Sequence, residues 1–190
     1  MPELDIRRPR LEDSKELHKF WRKVITDAYA QEGISDQLDS LEEEIHVKEQ
    51  QLADCFAGEE AGRFILVALV GDQIVGTMGY GPASPLIVEA SQQALAGWTE
   101  VGTVYVDPAY QRRGVSRQLL KAIGEALQAR GIRQFCLDSG YRAAQQAWTR
   151  TFGEPAYILK DYYGEGGDHM IWTAAVKGNP DKSRSSGEVL

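Results

Sequence analysis

Two cysteines in 190 residues, Cys55 and Cys136, are too few and too far apart for a disulfide framework. Histidine is just as scarce. His18, His46 and His169 stand apart, with no Cys or His at the spacing that a zinc site needs. No apolar run approaches the ~20 residues that span a bilayer, and the opening MPELDIRRPRLEDSKELHK is too polar for the core of a signal peptide. A cytoplasmic location is therefore expected. Lys and Arg number 21 against 28 Asp and Glu, and the net charge of -7 weighs against nucleic acid and anionic membranes as partners. Two nucleotide signatures fall short as well. Gly71 to Gly76 has the spacing of a Walker loop, but Thr77 stands where the lysine is needed, and GYGPAS at Gly79 to Ser84 only half matches a dinucleotide fingerprint.

A hydrophobic fraction of 43% with 26% charged residues fits a soluble globular protein. Residues 1–177 are expected to form one domain. The tail GNPDKSRSSGEVL, residues 178–190, has almost nothing to bury and reads as disordered. Along the chain, Leu4 to Arg8 reads as a strand ended by Pro9, followed by a helix that Asp13 or Ser14 would cap. A second helix is expected over Asp36 to Ala53. Arg63 to Val70 and Ile74 to Tyr80 form a hairpin about Gly71-Asp72, and a loop over 81–97 carries a helical turn near Val88 to Leu95. Trp98 to Val106 reads as a strand. Arg112 to Arg130 is the strongest helix, stopped by Gly131. Ile132 to Leu137 is a strand, Arg142 to Thr151 a helix, and Tyr157 to Leu159 and Met170 to Val176 are closing strands. Hairpins alternating with strand-helix-strand units imply a mixed sheet with helices on its faces.

The stretch DPAYQRRGVSRQLL, Asp107 to Leu120, runs from a proline-broken strand end into a helix. The first turn of a helix offers amides without intrahelical partners and a partial positive charge. Here Arg112, Arg113, Gly114, Ser116 and Arg117 can converge on an anion. Gly114 permits close approach, and the arginines can reach outlying phosphates. The alternative is a solvated basic helix start. Dipole logic, however, puts basic residues at the other end of a helix, and an anionic ligand would remove that anomaly.

VYVDPAYQRRGVSRQLL, Val104 to Leu120, resembles the acetyl-CoA-binding segment of the GNAT acyltransferases: a strand, then [RQ]xxGx[GA], then a helix. FGEPAYILKDYYGEGGDHMIW, Phe152 to Trp172, is similar to the closing strands of the branch that acetylates peptide or protein amines, with a DYY loop between them. The resemblance implies an α/β (α+β) fold with a mixed, mostly antiparallel sheet of six to seven strands. Helices would cover both faces, and a central strand pair would splay. It implies an N-acetyltransferase that uses acetyl-CoA as cosubstrate without a metal and acts on a primary amine in a ternary complex. Val104, Tyr105 and Val106 would line the pantetheine arm. Gln111, Arg112, Arg113, Gly114, Val115, Ser116 and Arg117 would cradle the pyrophosphate. Glu100 matches the position of a general base in histone-acetylating members; the other reading is an ordinary surface Glu at a strand end.

Three positions depart from the pattern. Ser116 replaces a Gly or Ala. Tyr141 stands where many members have an Asn on the pantetheine. Trp148 occupies the place of a tyrosine that protonates the leaving thiolate; an indole is no useful acid, and plain core packing is the expected role of this residue. Tyr162 or Tyr163 would take over that role, or the thiolate would leave unaided. Strand alternation puts Glu100 on one face with Gly102 and Val104. Glu42 to Glu44 reads as a solvated helix face, although the resemblance implies that the first two helices often wall the acceptor site; His46 and His169 read as surface or structural residues, and Cys136 as a buried strand residue. The departure at Trp148 keeps a second class open: a CoA-binding sensor without turnover. The resemblance leaves the acceptor undefined, leaning to a peptide or protein amine, and leaves a homodimer open.

Overall fold

The structure, a computed structural model, describes residues 3–58 and 62–176, so the expected C-terminal tail lies outside the described residues. The elements in chain order are β1 (Asp5–Arg7), α1 (Ser14–Glu32), α2 (Leu38–Ala57), β2 (Phe64–Val70), β3 (Gln73–Pro82) and α3 (Pro85–Ala90). They continue with β4 (Thr99–Val106), α4 (Val115–Ala129), β5 (Gln134–Ser139), α5 (Arg142–Phe152), β6 (Tyr157–Leu159) and β7 (His169–Ala175). The strands form one seven-stranded sheet in the order β1-β2-β3-β4-β5-β7-β6. Every neighbouring pair is antiparallel except β4 and β5.

Two apolar layers sandwich this sheet. Leu17, Trp21 and Ile25 of α1 and Leu41, Ile45 and Leu52 of α2 repeat at helical spacing and bury against Ile65, Val67 and Ile74 on one face. On the other, Val115, Leu119, Ile123 and Leu127 form one stripe of α4 and pack with Trp148 of α5 against Val75, Met78, Val101 and Trp172. Trp148 is therefore a core residue. α3 and Cys136 share a smaller cluster with Ile87, Leu95 and Ile171.

Element boundaries moved where side chains or special backbone conformations intervene. α4 begins at Val115 and not at Arg112, because Arg112 (φ 59°) and Gly114 (φ 81°) are both left-handed. The helix of the 81–97 segment lies earlier than expected. Ser84 accepts from Ile87 N (3.4 Å) and Pro85 follows at the first helical position, so nucleation happens there. Asp13 sits at the start of α1, yet its carboxylate does not cap the helix. It holds Arg7 (2.7 Å) and the Arg10 amide (2.6 Å) instead.

One irregularity positions the site. In β4, Thr103 is left-handed (φ 55°), and the β3–β4 register slips between Thr77 and Gly79. This bulge breaks the alternation expected from sequence. Val104 leaves the face of Glu100 and Gly102 and joins Val101 and Val106 on the α4 side, while Tyr105 turns to α1 and α2. The bulge is held from behind: Trp21 Nε1 donates to Thr77 Oγ1 (3.2 Å), and Thr77 Oγ1 donates to the Thr103 carbonyl (2.8 Å).

Candidate active site

β4 and β5 pair only at Thr99–Phe135 and Glu100–Cys136; beyond these positions they diverge. The Asp107 amide donates to Val75 O of β3 (3.0 Å), so alternation sends the backbone groups of Val104 and Val106 to the opposite edge, toward the gap. There the Val106 carbonyl accepts only the Gln111 side chain (3.3 Å) among the described residues. A parallel sheet opened in this way offers an extended amide-bearing chain the hydrogen bonds of a missing strand.

Past the end of β4 lies the anion turn. Asp107 caps a single 3-10 turn by accepting from Ala109 N (2.9 Å), and its other oxygen binds Lys23 of α1 (3.0 Å). The chain then passes through Gln111 to Gly114. The first amide bonded within the following helix is that of Gln118, which donates to Gly114 O (3.1 Å). Among the described residues, none of the amides from Arg112 to Arg117 donates to a backbone carbonyl. Arg112, Arg113 and Arg117 are exposed around this concavity, and Arg113 stacks on the Tyr110 ring (5.6 Å). Gly76 of β3 seats α4 against the sheet: a Cβ there would lie 2.8 Å from Val115 Cγ1. The donor set of six free amides ringed by guanidinium groups suits two linked phosphates.

On the α1–α2 side, a shallow cleft open to solvent is lined by Lys48, Gln51, Arg63, Glu100 and Thr103. Glu100 Oε2 accepts from the Ser84 amide at 2.6 Å. Burial, and then the neighbouring Asp138, push the Glu100 carboxyl above its ordinary value of 4.5, against the pull of the Ser84 bond and Lys48. Burial likewise holds the Lys48 ammonium below its ordinary range. Glu44, on the same face of α2, accepts from the hydroxyls of Tyr105 and Tyr141 (2.6 Å to the latter). Burial, and then Glu44, raise both phenols well above the usual range. Tyr141 thus points its hydroxyl at Glu44 of α2.

Tyr162 and Tyr163 lie on the exposed loop between β6 and β7, their rings 4.8 Å apart edge to face. Their hydroxyls differ. Tyr163 is hydrogen-bonded to His169 Nδ1 (3.0 Å), and His169 Nε2 to Asp138 Oδ2 (2.9 Å), whereas among the described residues Tyr162 makes ring contacts alone.

The structure therefore brings Glu100, Tyr141 and Tyr163 to one side of the divergence and places residues 111–117 at its far end. Three residues of this neighbourhood escaped the sequence reading: Glu44, Asp138 and His169. Glu44 was expected on a solvated face, but the spacing of Glu44, Lys48 and Gln51 beside Leu41, Ile45 and Leu52 marks the edge of the buried stripe. His169 is 6% exposed. Nothing local in the sequence announces that, because its partners are 31 and 6 residues away.

Comparison with known proteins gives this arrangement a context. The description of the acetyltransferase (GNAT) family matches residues 22–153. No curated protein matches the chain in sequence. Among solved structures, a protein assigned to the GNAT family from Desulfovibrio desulfuricans shares 20% identity at TM-score 0.68, over 92% of this chain and 100% of its own. A ribosomal-protein-alanine N-acetyltransferase from Brucella melitensis shares 22% at TM-score 0.63, over 90% and 99%. The PaiA N-acetyltransferase of Thermoplasma acidophilum, solved with coenzyme A, shares 15% at TM-score 0.65, over 91% and 99%. At these identities the likeness is one of fold.

Proposed function

The chain belongs to the GNAT acetyltransferase family, and from that premise we propose that it transfers the acetyl group of acetyl-CoA to a primary amine. The observation that carries this reading is the divergence of β4 from β5, with the free amides of Arg112 to Arg117 at one end and Glu100 at the other. Val104, Tyr105 and Val106 would line the pantetheine arm. Gln111 would release the Val106 carbonyl, and Arg112, Arg113, Gly114, Val115, Ser116 and Arg117 would hold the pyrophosphate. The bound thioester supplies an activated acyl group. The chain supplies the placement of the amine and the management of its protons.

An ammonium must lose a proton before its nitrogen can attack, and Glu100 lines the α2-side cleft at the last position where β4 and β5 still pair. Its raised pKa brings it closer to the working pH of a general base. Either Tyr162 or Tyr163, on the loop between β6 and β7, replaces the acid that the family places at Trp148, or the thiolate leaves unaided. Tyr141 acts with Glu44 as a wall between cofactor and acceptor. As part of the same proposal the domain is cytoplasmic, alone or paired with a second copy. Trp148, buried with Phe152 at 5.7 Å between ring centres, favours a second reading, a coenzyme A sensor without turnover.

The two readings separate on thiol release from acetyl-CoA with a panel of polyamines, aminoglycosides, amino acids and peptide N-termini. Turnover with any amine, lost in Glu100→Gln, supports the transferase. Coenzyme binding without turnover on the whole panel supports the sensor.

A further inference from the structure

Asp138, His169 and Tyr163 form a hydrogen-bonded chain, of which the transferase reading gives only Tyr163 a role. Asp138 lies two residues beyond Cys136, which pairs with Glu100, and on the same face of β5. His169 opens β7 on that face, and its two ring nitrogens are both engaged, Nε2 with Asp138 Oδ2 (2.9 Å) and Nδ1 with the Tyr163 hydroxyl (3.0 Å). The Tyr163 ring is pressed onto Gly140, just past the end of β5. A Cβ on Gly140 would come within 2.5 Å of Tyr163 Cε2, so only glycine leaves room for the ring. Gln145 fixes the frame by donating to Ser139 O (3.0 Å) and Asp168 O (2.8 Å), which ties the end of β5 to the residue before His169. The tyrosine loop is closed on itself by Tyr163 N to Gly167 O (2.9 Å).

Chemistry sets the direction of the chain. A carboxylate only accepts, so Asp138 takes the Nε2–H of His169 and leaves a lone pair on Nδ1. The Tyr163 O–H then donates to Nδ1, and the phenol oxygen keeps its own lone pairs for a donor in the cleft. Tyr163 is 58% exposed as a residue, but its hydroxyl is half-buried against His169; that burial, and then Asp138, push the phenol up to about 12.

Resting on the transferase reading, we propose that Tyr163, backed by His169 and Asp138, is a two-way proton shuttle between the attacking nitrogen and the departing sulfur. As the nitrogen bonds to the acyl carbon, its proton passes to Tyr163 Oη while the Tyr163 proton passes to His169 Nδ1. Asp138 stabilises the imidazolium. As the carbon–sulfur bond breaks, the same two transfers run in reverse and the proton ends on sulfur. Nitrogen loses one proton and sulfur gains one, with no other reactant. Glu100 handles the separate proton of the resting ammonium. His169 and Asp138 are positioning residues that act through Tyr163, and Tyr162, which lacks a hydrogen-bond partner among the described residues, is outside the relay.

The relay is testable with and without an acceptor. In ¹⁵N NMR of the whole protein, wild-type His169 should carry its proton on Nε2 at pH 7, and Asp138→Asn should shift the tautomer. A proton resident on Nδ1 alone in wild type would overturn the proposal. Thiol release is then followed with water as acceptor, and with a mixture of spermidine and L-alaninamide. Tyr163→Phe should lower turnover roughly 10²-fold while coenzyme A affinity, read by calorimetry, changes less than about twofold. His169→Gln should cost a similar factor, and the double variant should be no slower than the slower single one. Unchanged turnover in Tyr163→Phe, or losses that multiply in the double variant, would overturn it. Loss of coenzyme A binding by the wild-type protein would instead sink the transferase reading and leave the tautomer result standing.

Discussion

The two ends of the β4–β5 divergence are built by opposite means. The anion turn is made of backbone: consecutive amides from Arg112 to Arg117, a left-handed Gly114, and exposed guanidinium groups. The end proposed for acid–base chemistry is made of side chains gathered from α2, β4, β5 and β7, namely Glu44, Glu100, Asp138 and His169. A backbone site is local in sequence, so six consecutive residues spell it. A side-chain site is assembled by topology, and its members announce themselves only after the sheet order is known.

That contrast can be broken first at Glu100. Glu100→Gln should lower turnover by roughly 10²-fold or more. Because the carboxyl must be ionised to act and its pKa is raised, wild-type activity should climb with pH through a limb above 4.5 that the variant lacks. Stability should respond with the opposite sign. The folded state holds this proton more tightly than the unfolded chain, so stability falls as pH rises from 4.5 through the raised value, and Glu100→Gln removes that slope in denaturation at fixed pH. A flat profile in wild type would remove Glu100 from the acid–base end.

The next test crosses between the regions. Gly76→Ala places a Cβ 2.8 Å from Val115 Cγ1 and 3.2 Å from Leu119 Cδ1, and so lifts the first turn of α4 off the sheet. Coenzyme A affinity should drop about tenfold, ~1.4 kcal/mol, with ~1–3 kcal/mol of lost stability from overpacking. Retained affinity would mean that the amide turn does not depend on this packing.

Smaller effects sharpen the picture. Thr77→Val removes the hydroxyl linking Trp21 Nε1 to the Thr103 carbonyl and should cost about 1–3 kcal/mol in chemical denaturation. It should also loosen the left-handed Thr103, seen as faster amide exchange in β4. Trp148→Phe should cost only ~1 kcal/mol and change turnover less than twofold. A 10²-fold fall with coenzyme binding intact would bring the indole into the chemistry.

Most of the architecture was legible because it follows from periodicity: the α4 stripe, the β2–β3 hairpin about Gly71, and the strand broken by Pro108. The failures have physical causes. Alternation placed Val104 beside Glu100, but a bulge stabilised from α1 and β3 turned it over, and neither Trp21 nor Thr77 is near Thr103 in sequence. Helical spacing put Arg112 at the start of α4, but its left-handed backbone belongs to the turn. His169 read as a surface or structural residue, and the pairing of β7 with β5 decides for the buried alternative by setting it against Asp138.

The central claim is that the amides of residues 112–117 seat a diphosphate, and titration calorimetry of coenzyme A into the whole protein, wild type and Gly114→Val, tests it most directly. Coenzyme A should bind the wild type, and the variant, with a branched side chain forced to φ 81° at the mouth of the turn, should bind at least about tenfold more weakly, ~1.4 kcal/mol. No heat from wild type at ligand concentrations of order 1 mM (a Kd ceiling near −4 kcal/mol), or equal affinities in the two proteins, would contradict it.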